Sequence, residues 1–215
     1  YTGNVKKLPC SVLSYVFDDF NKSQVFKVFG FTNTRFDEVG WFYPSASSSE
    51  IDRYVVYNYA EDVWTYGELV RHAWLDSGVE PYPRATGGGY VYEHETGYDD
   101  DGNPMTNVFI ESSDFDIADG EQFAFIKEII PDFKFLENAS GAVNLVLKTR
   151  NAPGETLTTN STNSITGTIS KADVRARGRQ AVIRVESDDD NVSGNTATGW
   201  RLGATRLDVR PDGRR

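Results

Sequence analysis

Nucleophilic or metal chemistry would have to come from two histidines, His72 and His94, and one cysteine, Cys10. That is too little for a zinc site or a Ser-His-Asp set, and a single cysteine excludes an intrachain disulfide. Glu93-His94-Glu95 looks like half of a metal-binding helix. No second histidine follows four residues on, however, and strand alternation sets Glu93 and Glu95 on one face with His94 on the other. The runs Asp99-Asp100-Asp101-Gly102 and Glu186-Ser187-Asp188-Asp189-Asp190 hold oxygen ligands. They lack the spacing and terminal Glu of a calcium loop and read as hairpin tips, with a metal at Asp99–Asp101 left open. Among 32 acids some pair will stand at glycosidase spacing, and the sequence singles out none. No phosphate loop or nucleophile elbow is present, so no cofactor is expected.

The sharpest local pattern is basic. In Val174-Arg175-Ala176-Arg177-Gly178-Arg179 three arginines alternate with small residues. Period-two spacing would set all three guanidiniums on one strand face, with Gly178 as a bulge after which Ala181, Ile183 and Val185 resume the buried face. Arginines so placed can contact phosphates or form an ion-pair ladder with acids of a neighbouring strand or subunit. The acidity of the rest of the chain favours the ladder.

The elements that position these residues are β. Of 215 residues, 39% are apolar and 28 are Phe, Tyr or Trp, which excludes a disordered chain and allows one sizeable core or two small ones. No stretch nears the roughly 18 apolar residues of a membrane-spanning helix, and no membrane anchor is expected. The chain opens on Tyr1-Thr2-Gly3 without an initiator methionine, so we expect a piece of a longer protein. Residues 1–130 carry 22 acids and 9 bases, whereas residues 131–215 carry 10 acids and 13 bases. A net charge of −10 argues against generic nucleic-acid binding and fits a surface that DNA passes without adhering. Four Asn-x-Ser/Thr sites, at Asn21, Asn138, Asn160 and Asn191, would matter only in a secreted eukaryotic protein.

Helical periodicity is nearly absent, apart from a short segment near residues 18–24. Runs at Val25–Phe31, Val39–Tyr43, Arg53–Tyr59 and Val63–Leu69 read as four consecutive antiparallel strands, the size of a propeller blade. Trp41 and Trp64 are expected to be buried together as the blade core. A looser unit follows, with Arg71–Leu75 and Tyr90–Glu95 flanking a Gly87-Gly88-Gly89 turn. The break at Tyr98–Pro104 divides the chain into propeller-type blades over residues 1–105 and an antiparallel β-sandwich over 106–215. The expected fold class is all-β.

Several ordered blocks carry a family likeness. They are Glu38–Ser45, Asp52–Tyr59, Trp64–Gly67, Ile129–Asp132, Arg175–Gln180, Trp200–Gly203, Arg206–Val209 and Asp212–Arg215. These resemble the tail nozzle or hub proteins of short-tailed bacteriophages, also called packaged-DNA stabilisation proteins. The resemblance runs from about residue 8 to the end. It implies a virion component without catalytic residues. Such a protein would form a homo-oligomeric, six-fold ring below the portal and adaptor, assemble in the host cytoplasm and enclose the channel through which viral DNA passes. Members of the family are generally longer and have a propeller domain, and this sequence lacks their amino-terminal blades. A carbohydrate-binding or glycan-hydrolysing β-propeller is the alternative, because such proteins are also aromatic-rich with acids near a central channel.

Overall fold

Alternating aromatic and β-branched residues over positions 29–68 fold into a four-stranded antiparallel meander. The computed structural model describes residues 3, 5, 7–105, 107–117, 122–136, 142–169, 171–187 and 199–213. Strands β1 (Phe29–Asn33), β2 (Glu38–Tyr43), β3 (Arg53–Asn58) and β4 (Val63–Glu68) pair in the order β1-β2-β3-β4. The first run starts later than its sequence indicates, because Val25 lies in a 3-10 helix, Lys22–Lys27. A short helix α1 (Leu13–Asp18) precedes it, and the Asn21 side chain caps the 3-10 turn by accepting from the Ser23 amide at 3.1 Å.

One face of the meander buries Phe31, Phe42 and Val56 with Ile51. Each large side chain so removed from water contributes about 1.5–3 kcal/mol. Gly40 makes this packing possible. A Cβ there would meet Phe31 Cε1 at 2.5 Å, so only a bare backbone lets the Phe31 ring lie across β2. A second antiparallel sheet, β5 (Ala73–Leu75), β6 (Arg84–Gly87) and β7 (Tyr90–Glu93), sends Trp74 against the same cluster.

The chain divides into two compact units, Tyr1–Thr96 and Gly97–Arg215. The boundary expected at 105/106 falls later, beyond the hairpin of β8 (Asp99–Asp100) and β9 (Asn103–Pro104), which belongs to the second unit. Divided this way, charge is even. The first unit has 13 acids and 8 bases and the second 19 acids and 14 bases, a net of −5 each. The asymmetry lies inside the second unit, where residues 97–126 hold eight acids and no base.

The second unit continues through β10 (Phe109–Glu111), β11 (Phe115–Asp116), β12 (Ala124–Ile130), β13 (Phe133–Leu136), β14 (Ala142–Arg150), β15 (Thr158–Thr166), β16 (Ala172–Gly178), β17 (Gln180–Ser187), β18 (Gly199–Leu202) and β19 (Arg206–Pro211). One sheet runs β10-β17-β14-β15, with β11 also on β17; another runs β16-β12-β19; β13 pairs β18. All described pairings are antiparallel and no barrel closes among the described residues. A single core joins Val143, Leu145, Leu147, Ile165, Ala181 and Val185 of the first of these sheets to Ile126, Ile129, Val174 and Ala176 of the second. Ile183 packs against it, so Ala181, Ile183 and Val185 do return to the core side.

Gly178 serves this arrangement as a corner rather than as a bulge. It closes β16, and after Arg179 the chain resumes as β17 in the other sheet. A Cβ at Gly178 would come within 2.7 Å of Thr149 Cβ. The bulge lies elsewhere: Lys127 faces both Val174 and Arg175 across the β12–β16 pair. Arg175 takes a left-handed backbone there, φ 49°, which costs about 1 kcal/mol or more for a residue with a side chain.

Candidate functional site

The three arginines do not form one ladder. Arg175 and Arg177 project from the exposed side of β16, while Val174, Ala176 and Gly178 turn inward. Arg179 lies beyond the strand, and its backbone bonds at the corner, donating to Arg150 O at 3.1 Å and accepting from Ile117 N at 2.7 Å. Arg177 and Arg179 share a partner, their guanidiniums lying 3.9 and 5.1 Å from the Phe123 ring centre. Arg177 also pairs through Nε with Asp212 of the same unit. One rung of the expected ladder is therefore present within the chain, on a half-exposed pair of modest strength.

The denser ion-pair lattice is on β10, β14 and β17. Lys148 and Arg184 both reach Glu111, at 2.6 and 3.6 Å, and Arg184 also pairs Glu186. Arg150 pairs Asp114 and donates to Gln180 Oε1 at 2.8 Å, and Gln180 donates in turn to Asp116 at 2.8 Å. Cross-strand register brings these residues together, with Arg184 opposite both Glu111 and Val146. No short-range spacing foreshadows them, since Glu111 and Arg184 are far apart in sequence.

Trp41 and Trp64 stand together, with stacked rings 6.3 Å apart and Tyr57 4.8 Å from Trp64. They are not the core. Both are half-buried on the face opposite Phe42, and the expected blade core is corrected to Phe31, Phe42, Ile51 and Val56. Alternation decides which residues share a face; the packing of Trp74 and Ile51 decides which face is covered. The tryptophan side is only partly roofed. Trp64 Nε1 donates to Pro9 O at 2.9 Å, and Tyr15 of α1 lies on Tyr66 with ring centres 4.0 Å apart. Arg53 anchors that side through Asp19, Asp52 and Glu68 at 3.2–3.4 Å.

Asp99–Asp101 form the expected hairpin tip: Asp99 Oδ1 accepts from the Gly102 amide at 3.0 Å, and Asp101 and Gly102 have left-handed backbones. Asn138, Asn191, Asp188–Asp190, Arg214 and Arg215 lie outside the described residues. Among the described residues no group of three or more His, Cys, Asp or Glu is arranged to hold a metal ion, and no helix is long and apolar enough to cross a membrane.

Glu93, His94 and Glu95 take three different partners. Glu93 pairs Arg84 at 3.4 Å, and His94 Nε2 accepts from Arg71 Nε at 2.8 Å. Glu95, with φ 62°, turns back to the buried Asn33 at 2.9 Å. Sequence reading had no route to Asn33 or to Glu38 beside it, because each is an ordinary residue at a hairpin end.

Protein-family models and curated proteins were compared with the chain, and neither comparison gives a match.

Proposed function

We propose that this chain is a structural subunit of a bacteriophage tail, of the nozzle or hub type, that assembles into a ring around the DNA exit channel. In this reading β1–β4 and β5–β7 are propeller-type blades, and the second unit is an antiparallel sandwich. The observation that carries it is apolar surface left open for a neighbour. Helix α1 buries none of its residues, and Leu13, Tyr15, Phe17, Val25 and Phe26 are 41–75% exposed. A run of large apolar side chains facing water marks an interaction surface. Ring closure by repeated head-to-tail contacts would cover it. The portal, the adaptor and other tail proteins are the expected neighbours, with the virion as its location and viral DNA as a transient passenger.

The electrostatic part of this mechanism rests on residues 97–126, whose eight acids would repel a duplex carrying one charge per about 1.7 Å. Electron micrographs of the purified protein should show closed rings, and duplex DNA should bind weakly at about 150 mM salt. A protein that stays monomeric and binds duplex tightly under those conditions would overturn the reading.

One observation favours the carbohydrate-binding alternative. Trp41, Tyr57 and Trp64 form a half-open aromatic face of the kind on which pyranose rings stack. Retention on a glycan array, abolished by Trp41→Ala, would support it over the tail reading.

A further inference from the structure

Three unusual features meet at one end of the first meander. Glu38 opens β2 and Asn33 closes β1, directly opposite each other in register. Asn33 is only 2% exposed, and its Nδ2 donates to Glu38 Oε2 at 3.1 Å and to Glu95 Oε1 at 2.9 Å. One amide nitrogen thus holds two carboxylates side by side. The other end of the same amide, Oδ1, is buried without a hydrogen-bond partner among the described residues. Glu95 is held there in the left-handed region, a conformation that a glutamate adopts only at a cost.

Two adjacent carboxylates repel, and both titrate upward. Burial raises Glu38, the charge of Glu95 raises it further, and the Asn33 bond offsets part of this. Glu95 is raised by burial as well, with Asn33 and Arg35 pulling the other way. As a residue Glu95 is exposed, but its carboxylate end is the part that reaches the buried amide, where neighbours displace its water. A fold that gathers two such groups around an amide with an unsatisfied oxygen has a concentration of oxygen donors that a cation would relieve.

We propose that Glu38, Glu95 and Asn33 bind a hard divalent cation, calcium in preference to magnesium. Carboxylate oxygens that share one nitrogen are close enough for a single ion at about 2.3–2.6 Å from each. With the ion in place, a half-turn of the Asn33 amide presents Oδ1 as a third ligand. That turn exchanges one unpartnered buried atom for another, so coordination decides its direction. Water completes the shell from the open side at Glu95. Calcium tolerates such an irregular, partly hydrated shell, whereas magnesium demands a near-ideal octahedron. Protons compete for the same oxygens, so binding weakens as pH falls through the raised carboxylate range.

Calorimetric titration of the intact protein with calcium chloride near neutral pH tests the assignment, together with Tm followed against calcium concentration. Binding should be saturable, with Tm rising as calcium rises and a smaller response to magnesium chloride. Glu38→Gln and Glu95→Gln should each weaken binding at least tenfold. Their calcium-free Tm should equal or exceed that of the parent, because the repulsion is gone while an amide oxygen still accepts from Asn33. Asp99→Asn should bind as the parent does. No calcium-dependent heat or Tm change in the parent overturns the proposal. So does unchanged affinity in both glutamine variants, or loss of binding in Asp99→Asn, which would place the ion at the hairpin tip.

Discussion

Lys134 and Arg201 stand directly opposite each other across the β13–β18 pair, two exposed cations neither of which makes an ion pair with a described residue. Like charges in this relation oppose pairing, whereas unlike charges contribute roughly 0.2–1 kcal/mol. The inner side of the same two strands packs Phe133, Phe135, Trp200 and Leu202 on the core, which outweighs the repulsion. Arg201→Glu should therefore raise Tm and the midpoint of denaturant unfolding, with the gain shrinking as salt is added. A destabilised variant would show that Arg201 is engaged by something other than Lys134.

Phe42 and Trp41 are neighbours in sequence on opposite faces of β2, with Phe42 1% exposed and Trp41 half-buried. Emptying the Phe42 site should cost about 3–5 kcal/mol, the usual range for a buried aromatic, and Trp41→Ala clearly less. Chemical denaturation of the two variants, followed by circular dichroism, gives the ratio. Equal losses would mean that the tryptophan face is buried as deeply as the phenylalanine face.

Tyr43 is 3% exposed, and its hydroxyl has no hydrogen-bond partner among the described residues. Burial, with added repulsion from Tyr15 and Asp19, pushes its pKa up to about 12 from an ordinary 10.0. The fold holds the neutral phenol, so this contribution to stability is complete below pH 10.0 and is lost as pH rises towards 12. Tyr43→Phe should be as stable as the parent or more so at neutral pH, since it removes an unsatisfied polar atom. It should also lose less stability than the parent on passing pH 10.0. A variant that is less stable at neutral pH would reveal a bond to the hydroxyl.

Much of the fold was legible in short-range pattern. The runs at Val39–Tyr43, Arg53–Tyr59 and Val63–Leu69 correspond closely to β2, β3 and β4, because alternation and turn residues act over a few positions. The Asp99–Gly102 hairpin tip was legible for the same reason, as was the side of β16 from which Arg175 and Arg177 project. The 3-10 helix at Lys22–Lys27 was not, since its Val and Phe imitate a strand while the Asn21 cap holds a turn.

Composition and period-two spacing by themselves determined an all-β chain, its aromatic meander and the pairing of Trp41 with Trp64 on a common face. Only tertiary structure decided that this face is the open one, because burial depends on what Trp74 and Ile51 cover from elsewhere in the chain. It alone made Gly178 a corner between sheets and brought Arg184 to Glu111. It alone joined Glu95 to Asn33 and Glu38, residues whose types carry no joint signal. Local propensity acts along the backbone within a few residues, whereas a site is made by contacts between strands remote in sequence, and their register is set by the core they share.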